Sequence, residues 1–187
     1  MPLEIEKSEI LESVCLIRGG FFHDERGWFS EFYKESEFSK LLKGASFKQI
    51  NRSHSNKKGT LRGLHFQMGP RAQGKLVSCL SGSIFDVAVD IRVGSETYGS
   101  WTSFLLEGGD GKLVWIPEGF AHGFQTLSQD TEVLYLTTDE YAPSFERTIA
   151  WDDSEIGVEW PLKNPILSDK DSEAGSLNEV CKEVAKG

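Results

Sequence analysis

From Phe47 to Thr138 the chain is a run of short alternating segments cut apart by Gly, Asp, Pro and Ser, with almost no helical periodicity. Strand side chains point alternately to opposite faces, so each segment can bury one side. Many such strands at close spacing read as a β-sandwich or barrel. Ser83–Arg92, SIFDVAVDIR, is the clearest of them. Phe85, Val87, Val89 and Ile91 form one apolar face, and Asp86, Asp90 and Arg92 share the other with Ala88. Phe47–Ser53, Trp101–Glu107, Lys112–Ile116, His122–Thr126 and Thr131–Thr138 read as further strands. No repeat, low-complexity tract or linker divides the 187 residues, so one domain is expected.

The two ends differ from this middle. Residues 3–18 alternate loosely and read as extended. Phe21–Tyr33 suggests a hairpin, with a turn at Asp24-Glu25-Arg26-Gly27 and a second strand through WFSEFYK. Ser36 to Lys43 predicts a short helix, capped by Ser36 and stopped by Gly44. Near the C-terminus, Trp160–Pro165 is a proline-rimmed loop. Ser176-Leu177-Asn178-Glu179 fits a capping box, and Leu177, Val180, Cys181 and Val184 recur at helical spacing. The expected layout is 1–46 as N-terminal strands and a short helix, 47–151 as the β core, and 152–187 as a loop and helix.

Twenty basic against twenty-nine acidic residues give a formal charge of −9. A nucleic-acid partner would want a basic face, so none is expected. A small anionic ligand stays open, because a few cations converging on a cleft can hold a phosphate. No run reaches membrane-spanning length, and MPLEIEKSEILESV does not read as a signal peptide. Cys15, Cys79 and Cys181 show neither zinc spacing nor a disulfide framework, and a reducing, cytoplasmic setting is expected.

The chemistry concentrates in Gly59–Lys75, GTLRGLHFQMGPRAQGK. It carries an imidazole (His65), an ammonium (Lys75) and a guanidinium (Arg62). Gly63 and Gly74 have no side-chain bulk, so a ligand or neighbouring backbone can come close. A strand over Leu61–Gln67 places Gly63, His65 and Gln67 on one face, and turns Arg62 away unless Gly63 bulges the strand. The turn-rich Met68–Gly74 would bring Lys75 back on an adjacent strand. A base beside a cation suits abstraction of a proton next to a carbonyl whose oxygen becomes negative. A structural histidine and a surface lysine on a hairpin would read the same way.

Gly111-Lys-Leu-Val-Trp-Ile-Pro117-Glu-Gly119-Phe-Ala-His122 resembles the second cupin motif, with Thr126 where asparagine is usual. The first motif would supply His-x-His, and here it looks like His65-Phe66-Gln67. A cupin metal site uses about three histidines and a carboxylate. This chain has four histidines, two of which, His23 and His54, sit outside the motifs. The resemblance implies an all-β-dominated, cupin-type jelly roll (a double-stranded β-helix) with a few short helices. No metal is expected.

RGLHFQ (62–67), GKLV (74–77), FDVAVDIR (85–92), IPEGFAHGF (116–124), LYLTT (134–138), EWP (159–161) and LSDKD (167–171) together resemble the dTDP-4-dehydrorhamnose 3,5-epimerases. The resemblance implies His65 as base, Asp171 as the carboxylate orienting it, Lys75 beside the sugar C4 oxygen and Tyr135 as the acid on the opposite face. It implies substrate contacts from Arg26, Glu31, Gln49, Ile50, Asn51, Arg62, Lys75, His122, Tyr141, Glu146 and Lys170. Arg26, Arg62 and Lys170 suit the diphosphate, Gln49 and Asn51 the nucleotide, and Tyr141 a stack on thymine. It further implies a homodimer whose N-terminal segments reach the partner's site, and no cofactor. On residues alone, Asp171 caps a turn equally well, and Tyr135 reads equally as a half-buried core tyrosine.

The implied reaction is metal-free 3,5-epimerisation of dTDP-4-dehydro-6-deoxy-D-glucose, on the route to dTDP-L-rhamnose. The same base and cation also serve a C3- or C5-only epimerase or a ketoisomerase on a related nucleotide sugar. A non-catalytic sugar-nucleotide binder and a metal-dependent cupin remain as alternatives of a different class.

Overall fold

A computed structural model describes residues 3–184, with the side chains of residues 181–184 left out of the description. In chain order the strands are β1 (Glu4–Lys7), β2 (Cys15–Arg18), β3 (Phe22–Asp24), β4 (Gly27–Phe29), β5 (Gln49–Ser55), β6 (Leu61–Gln67), β7 (Lys75–Ser81), β8 (Ser83–Asp90), β9 (Trp101–Glu107), β10 (Lys112–Ile116), β11 (Phe120–Thr126), β12 (Thr131–Thr137) and β13 (Glu146–Thr148). The helices are α1 (Glu35–Leu41), α2 (Asp169–Ser172) and α3 (Leu177–Val184). A large sheet runs β1-β2-β10-β7-β12-β5, a smaller one runs β13-β6-β11-β8-β9, and β3 and β4 form a separate hairpin. The named strands pair antiparallel. The fold is the expected cupin-type jelly roll.

Both sheets are partly covered on their outer faces as well as packed on each other, and this explains why so few strands look cleanly amphipathic. Between the sheets lie Val77, Cys79, Ile84, Ala88, Leu106, Val114, Ile116, Phe120, Phe124 and Val133. The outer face of the large sheet, with Ile17, Leu76, Leu113, Trp115 and Leu136, is covered by Phe38 and Leu42 from and after α1. The outer face of the small sheet, with Leu64, Phe66, Val87 and Val89, is covered by Ile149, Ile156, Leu177 and Val180. A fully buried side chain such as Phe38 contributes roughly 1.5–3 kcal/mol, so each cover is worth many such units. β8 therefore inverts the simple reading of its sequence. Its apolar face looks outward under the C-terminal segment, while Asp86 and Asp90 look inward and are fully buried.

The ends follow the expected plan with three corrections. Helix α1 starts at Glu35, with Lys34 rather than Ser36 at the N-cap and no side-chain cap. Glu35 and Glu37 in its first turn face the positive end of the helix dipole instead. The second hairpin strand stops at Phe29. There Ser30 donates to the Gly20 carbonyl, and the chain turns so that Tyr33 packs on Phe38 and Phe47. The third correction concerns Lys75: Met68–Gly74 does not return it beside β6 but carries the chain across to the facing sheet. Gly74 makes that crossing possible, since a Cβ there would lie 2.5 Å from the Trp115 ring. The capping box forms as expected, with Ser176 N and Oγ donating to Glu179 at 2.9 Å. Leu177 and Val180 are buried on that helix, whereas Cys181 and Val184 lie outside the described side chains.

Candidate active site

The site lies at one end of the space between the two sheets. His65 sits on the inner face of β6, its side chain 28% exposed. Its Nε2 lies 2.6 Å from Asp171 Oδ1, a contact spanning 106 residues. Asp171 is buried and stands in α2, where Ser168 caps the first turn. Ser168 Oγ donates to Asp171 Oδ2 at 2.8 Å, and Asp171 N donates back to Ser168 Oγ at 3.2 Å. Burial alone would raise the Asp171 pKa, but the hydrogen bond and charge of His65, with help from Ser168, hold it below the usual carboxylate value.

Gly63 sets the geometry of β6. His65 pairs with His122 and Arg62 with Phe124, so three residue steps on β6 oppose two on β11. The extra residue is a bulge, and it returns Arg62 to the face that carries His65. Gly63 has φ +119°, and a Cβ there would meet Gly123 Cα at 2.6 Å. Only glycine fits both constraints. Arg62 then spans the gap to the large sheet, donating to the His54 carbonyl at 3.2 Å.

A second imidazole–carboxylate pair lies deeper. His122 is buried beside His65, and its Nε2 is 2.8 Å from Asp86 Oδ2 on the neighbouring strand. Burial lowers the His122 pKa and outweighs the pull of Asp86. The imidazole is therefore neutral near pH 7, with Nε2–H donating to the carboxylate. Lys75 enters from the facing sheet and donates to the His65 carbonyl at 3.0 Å. Burial brings its ammonium down to about 8, against the charges of Glu146 and Asp86.

The large sheet supplies the opposite wall. Tyr135 pairs across the strands with Asn51 and Val77 and packs on the core between the sheets. Burial raises its phenol pKa, with Arg62 pulling it down and Glu146 pushing it up. Gln49 donates to Asn51 Oδ1 at 2.7 Å and accepts from Tyr141 N at 2.8 Å. Glu146 ties the rim together, accepting from Tyr141 Oη at 2.7 Å and pairing with Lys170 at 2.6 Å. Burial would raise the Glu146 pKa, but Lys170 and Tyr141 hold it below its ordinary value.

Three expected contacts are not brought to this cluster. Ile50 points to the other side of β5 from Gln49 and Asn51, as strand alternation requires, and is 66% exposed. Arg26 sits at the tip of the β3–β4 hairpin, paired with Asp24, its side chain 90% exposed. Glu31 follows that hairpin and is also exposed. Among the described residues, no group of three or more His, Cys, Asp or Glu has metal-binding geometry.

The family model for dTDP-4-dehydrorhamnose 3,5-epimerase matches residues 8–179. The chain belongs to that family. It is 48% identical over 171 residues to the dTDP-4-dehydrorhamnose 3,5-epimerase of Sinorhizobium fredii, covering 91% of this chain and 88% of that one. It is also 48% identical over 172 residues to the enzyme of that name from Salmonella typhimurium, covering 91% and 93%. A crystal structure of dTDP-6-deoxy-D-glucose-3,5-epimerase from Legionella pneumophila, in complex with dTDP-4-keto-L-rhamnose, superposes with a TM-score of 0.92 at 41% identity. That match covers 97% of this chain and 96% of that one.

Seen as an epimerase-family site, the cluster holds three residues that sequence reasoning passed over. Asp86 was legible only as one of two acids on a strand face, with no hint that His122 would sit opposite. Ser168 was within reach, since Ser168-Asp-Lys-Asp171 has the spacing of a capping box. Gln67 read as the residue standing in for a metal-binding histidine, and two of its three partners, Glu140 and Ala142, lie on a loop far away in the chain.

Proposed function

We propose that this protein epimerises dTDP-4-dehydro-6-deoxy-D-glucose at C3 and C5 to dTDP-4-dehydro-L-rhamnose, the isomerase step toward dTDP-L-rhamnose. The carrying observation is His65 on one sheet, paired with Asp171 of α2, with the Lys75 ammonium reaching it from the other sheet and Tyr135 on that second sheet. His65 removes a proton beside the C4 ketone, and Asp171 holds the imidazole in one tautomer and stabilises the imidazolium. Lys75 stands by the C4 oxygen as the enolate forms. A positioned base is worth roughly 10²–10⁴-fold in rate, and one preorganised donor at an oxyanion about 3–4 kcal/mol. Tyr135, kept protonated by burial, returns a proton to the other face of the ring.

Asn51, Gln49, Arg62, His122, Glu146 and Lys170 hold the nucleotide sugar, with Tyr141 against the base. The chemistry needs no redox cofactor, since a proton leaves and a proton returns. It is also metal-free in this reading, because Gln67 occupies the second histidine position of the motif and is spent on backbone groups. Prolonged chelation should leave turnover intact, and restoration of a lost activity by a divalent metal would overturn the metal-free scheme.

The active form is a homodimer in the cytoplasm. The hairpin exposes Phe22, Trp28 and Phe29, which a second copy would cover, so that Arg26 and Glu31 reach the partner's cleft. Cys15 and Cys79, buried free thiols among the described residues, suit a reducing compartment. Light scattering reads the dimer directly, and a monomeric mass at working concentration would remove this arrangement.

The decisive test is NMR of the substrate with enzyme in D₂O. Deuterium should enter at C3 and C5 as inverted product accumulates. His65→Ala should abolish both. Tyr135→Phe, which removes the hydroxyl and keeps the ring, should exchange deuterium while losing most inverted product. Normal epimerisation by Tyr135→Phe would assign the acid to another group.

A further inference from the structure

We propose that Gln67 is a positioning residue that fixes Tyr141 for the nucleotide base, in place of the metal ligand this motif position carries in other cupins. The inference rests on the assignment of Tyr141 to the base. Gln67 is buried, at 5% exposure, on the inner face of β6 two residues beyond His65. Both of its amide N–H groups and one lone pair of its oxygen are taken by backbone. Nε2 donates to the Arg71 carbonyl at 2.6 Å and the Glu140 carbonyl at 3.2 Å. Oε1 accepts from Ala142 N at 2.7 Å. Neither amide N–H is left to offer a substrate.

What it does instead follows from where those partners lie. Glu140 and Ala142 flank Tyr141, and Gln49 takes the Tyr141 N–H itself. Three consecutive residues are thus pinned by two side-chain amides from two different sheets. Tyr141 stays 53% exposed, its ring anchored at the far end by Glu146. A flat exposed ring on a fixed backbone is a preorganised stacking surface, so binding need not order it. The cost of breaking the clamp is high locally, because a buried amide and three backbone groups would lose partners together.

The test is dTDP affinity by calorimetry, with kcat at saturating substrate, for five proteins: wild type, Gln67→Met, Gln67→Glu, Tyr141→Ala and the double variant Gln67→Met/Tyr141→Ala. Gln67→Met keeps the shape and should weaken dTDP about tenfold, the scale of one or two lost hydrogen bonds. Its kcat should change less than its affinity. In the Tyr141→Ala background the same substitution should have no further effect on dTDP. Gln67→Glu keeps the acceptor toward Ala142 and loses both donations, so it should also weaken dTDP, and it carries the comparison if the methionine variant does not fold. An equal loss with and without Tyr141 would overturn the clamp while leaving the stacking in place. Unchanged dTDP affinity in Tyr141→Ala alone would overturn the stacking assignment, and the clamp with it.

Discussion

The site holds two imidazole–carboxylate pairs of nearly equal length, 2.6 Å for His65–Asp171 and 2.8 Å for His122–Asp86, and they are built in different ways. His122 and Asp86 sit on adjacent strands of one sheet, and both are almost fully buried. His65 reaches solvent, and its carboxylate comes from a four-residue helix at the far end of the chain, braced on its second oxygen by Ser168. A proton can enter and leave the first pair through the cleft. In the second, burial holds the His122 imidazole neutral, next to the Lys75 charge. Distance alone does not make a base. Access and the cost of charging the ring separate a pair suited to proton transfer from one suited to holding shape and offering a fixed dipole.

The largest expected effect follows from this contrast. Asp171→Asn keeps the size of the side chain but removes the charge that stabilises the His65 imidazolium, so turnover should fall by about 10³–10⁴-fold. dTDP binding should survive. Near-normal turnover would take Asp171 out of the proton-transfer pair and erase the distinction.

The pH dependence comes next, through Lys75. The proposed role needs the ammonium, which persists below about pH 8 and is lost above it. The ratio kcat/KM should therefore drop about tenfold per unit on the alkaline side of that value. Stability should move the other way. Lys75 binds its proton less tightly in the folded state than its ordinary value of 10.5, so between about 8 and 10.5 the unfolded chain holds more protons. Its contribution to unfolding free energy rises with pH across that window. Opposite slopes for activity and melting would mark Lys75, and Lys75→Met should remove the rise in melting. A flat kcat/KM to pH 10 would exclude the ammonium from the mechanism.

Asp86→Asn should cost far less than Asp171→Asn, about tenfold in turnover, because a neutral His122 needs only an acceptor and the amide oxygen is one. Equal losses in the two asparagine variants would show that both pairs carry charge. Smallest of all is Ser168→Ala. Losing one hydrogen bond to Asp171 should raise the Asp171 pKa and cut kcat about threefold, with dTDP affinity unchanged. A loss as large as that of Asp171→Asn would mean that Ser168 orders the whole of α2.

Local pattern was a good guide to what is local. The bounds of β6, β9 and β10 agree with their alternating segments, and the capping box at Ser176–Glu179 forms as its spacing implies. Ser36 misled because a serine before an apolar run signals a cap only if the helix starts there, and two glutamates moved the start forward. Lys75 misled because a turn-rich segment between two strands looks the same whether it closes a hairpin or crosses between sheets.

What the amino-acid order determined by itself was the class of fold, the family, and the residue types from which a site could be made. Those depend on period-two burial and on short motifs, which neighbouring residues carry. The tertiary structure decided which histidine received which carboxylate, which sheet carried each group, and that a bulge at Gly63 would return Arg62 to the His65 face. These are non-local outcomes. His65 meets a carboxylate 106 residues away, and Gln67 clamps a loop 75 residues on, because two packed sheets bring those segments together, and nothing in either segment alone records the meeting.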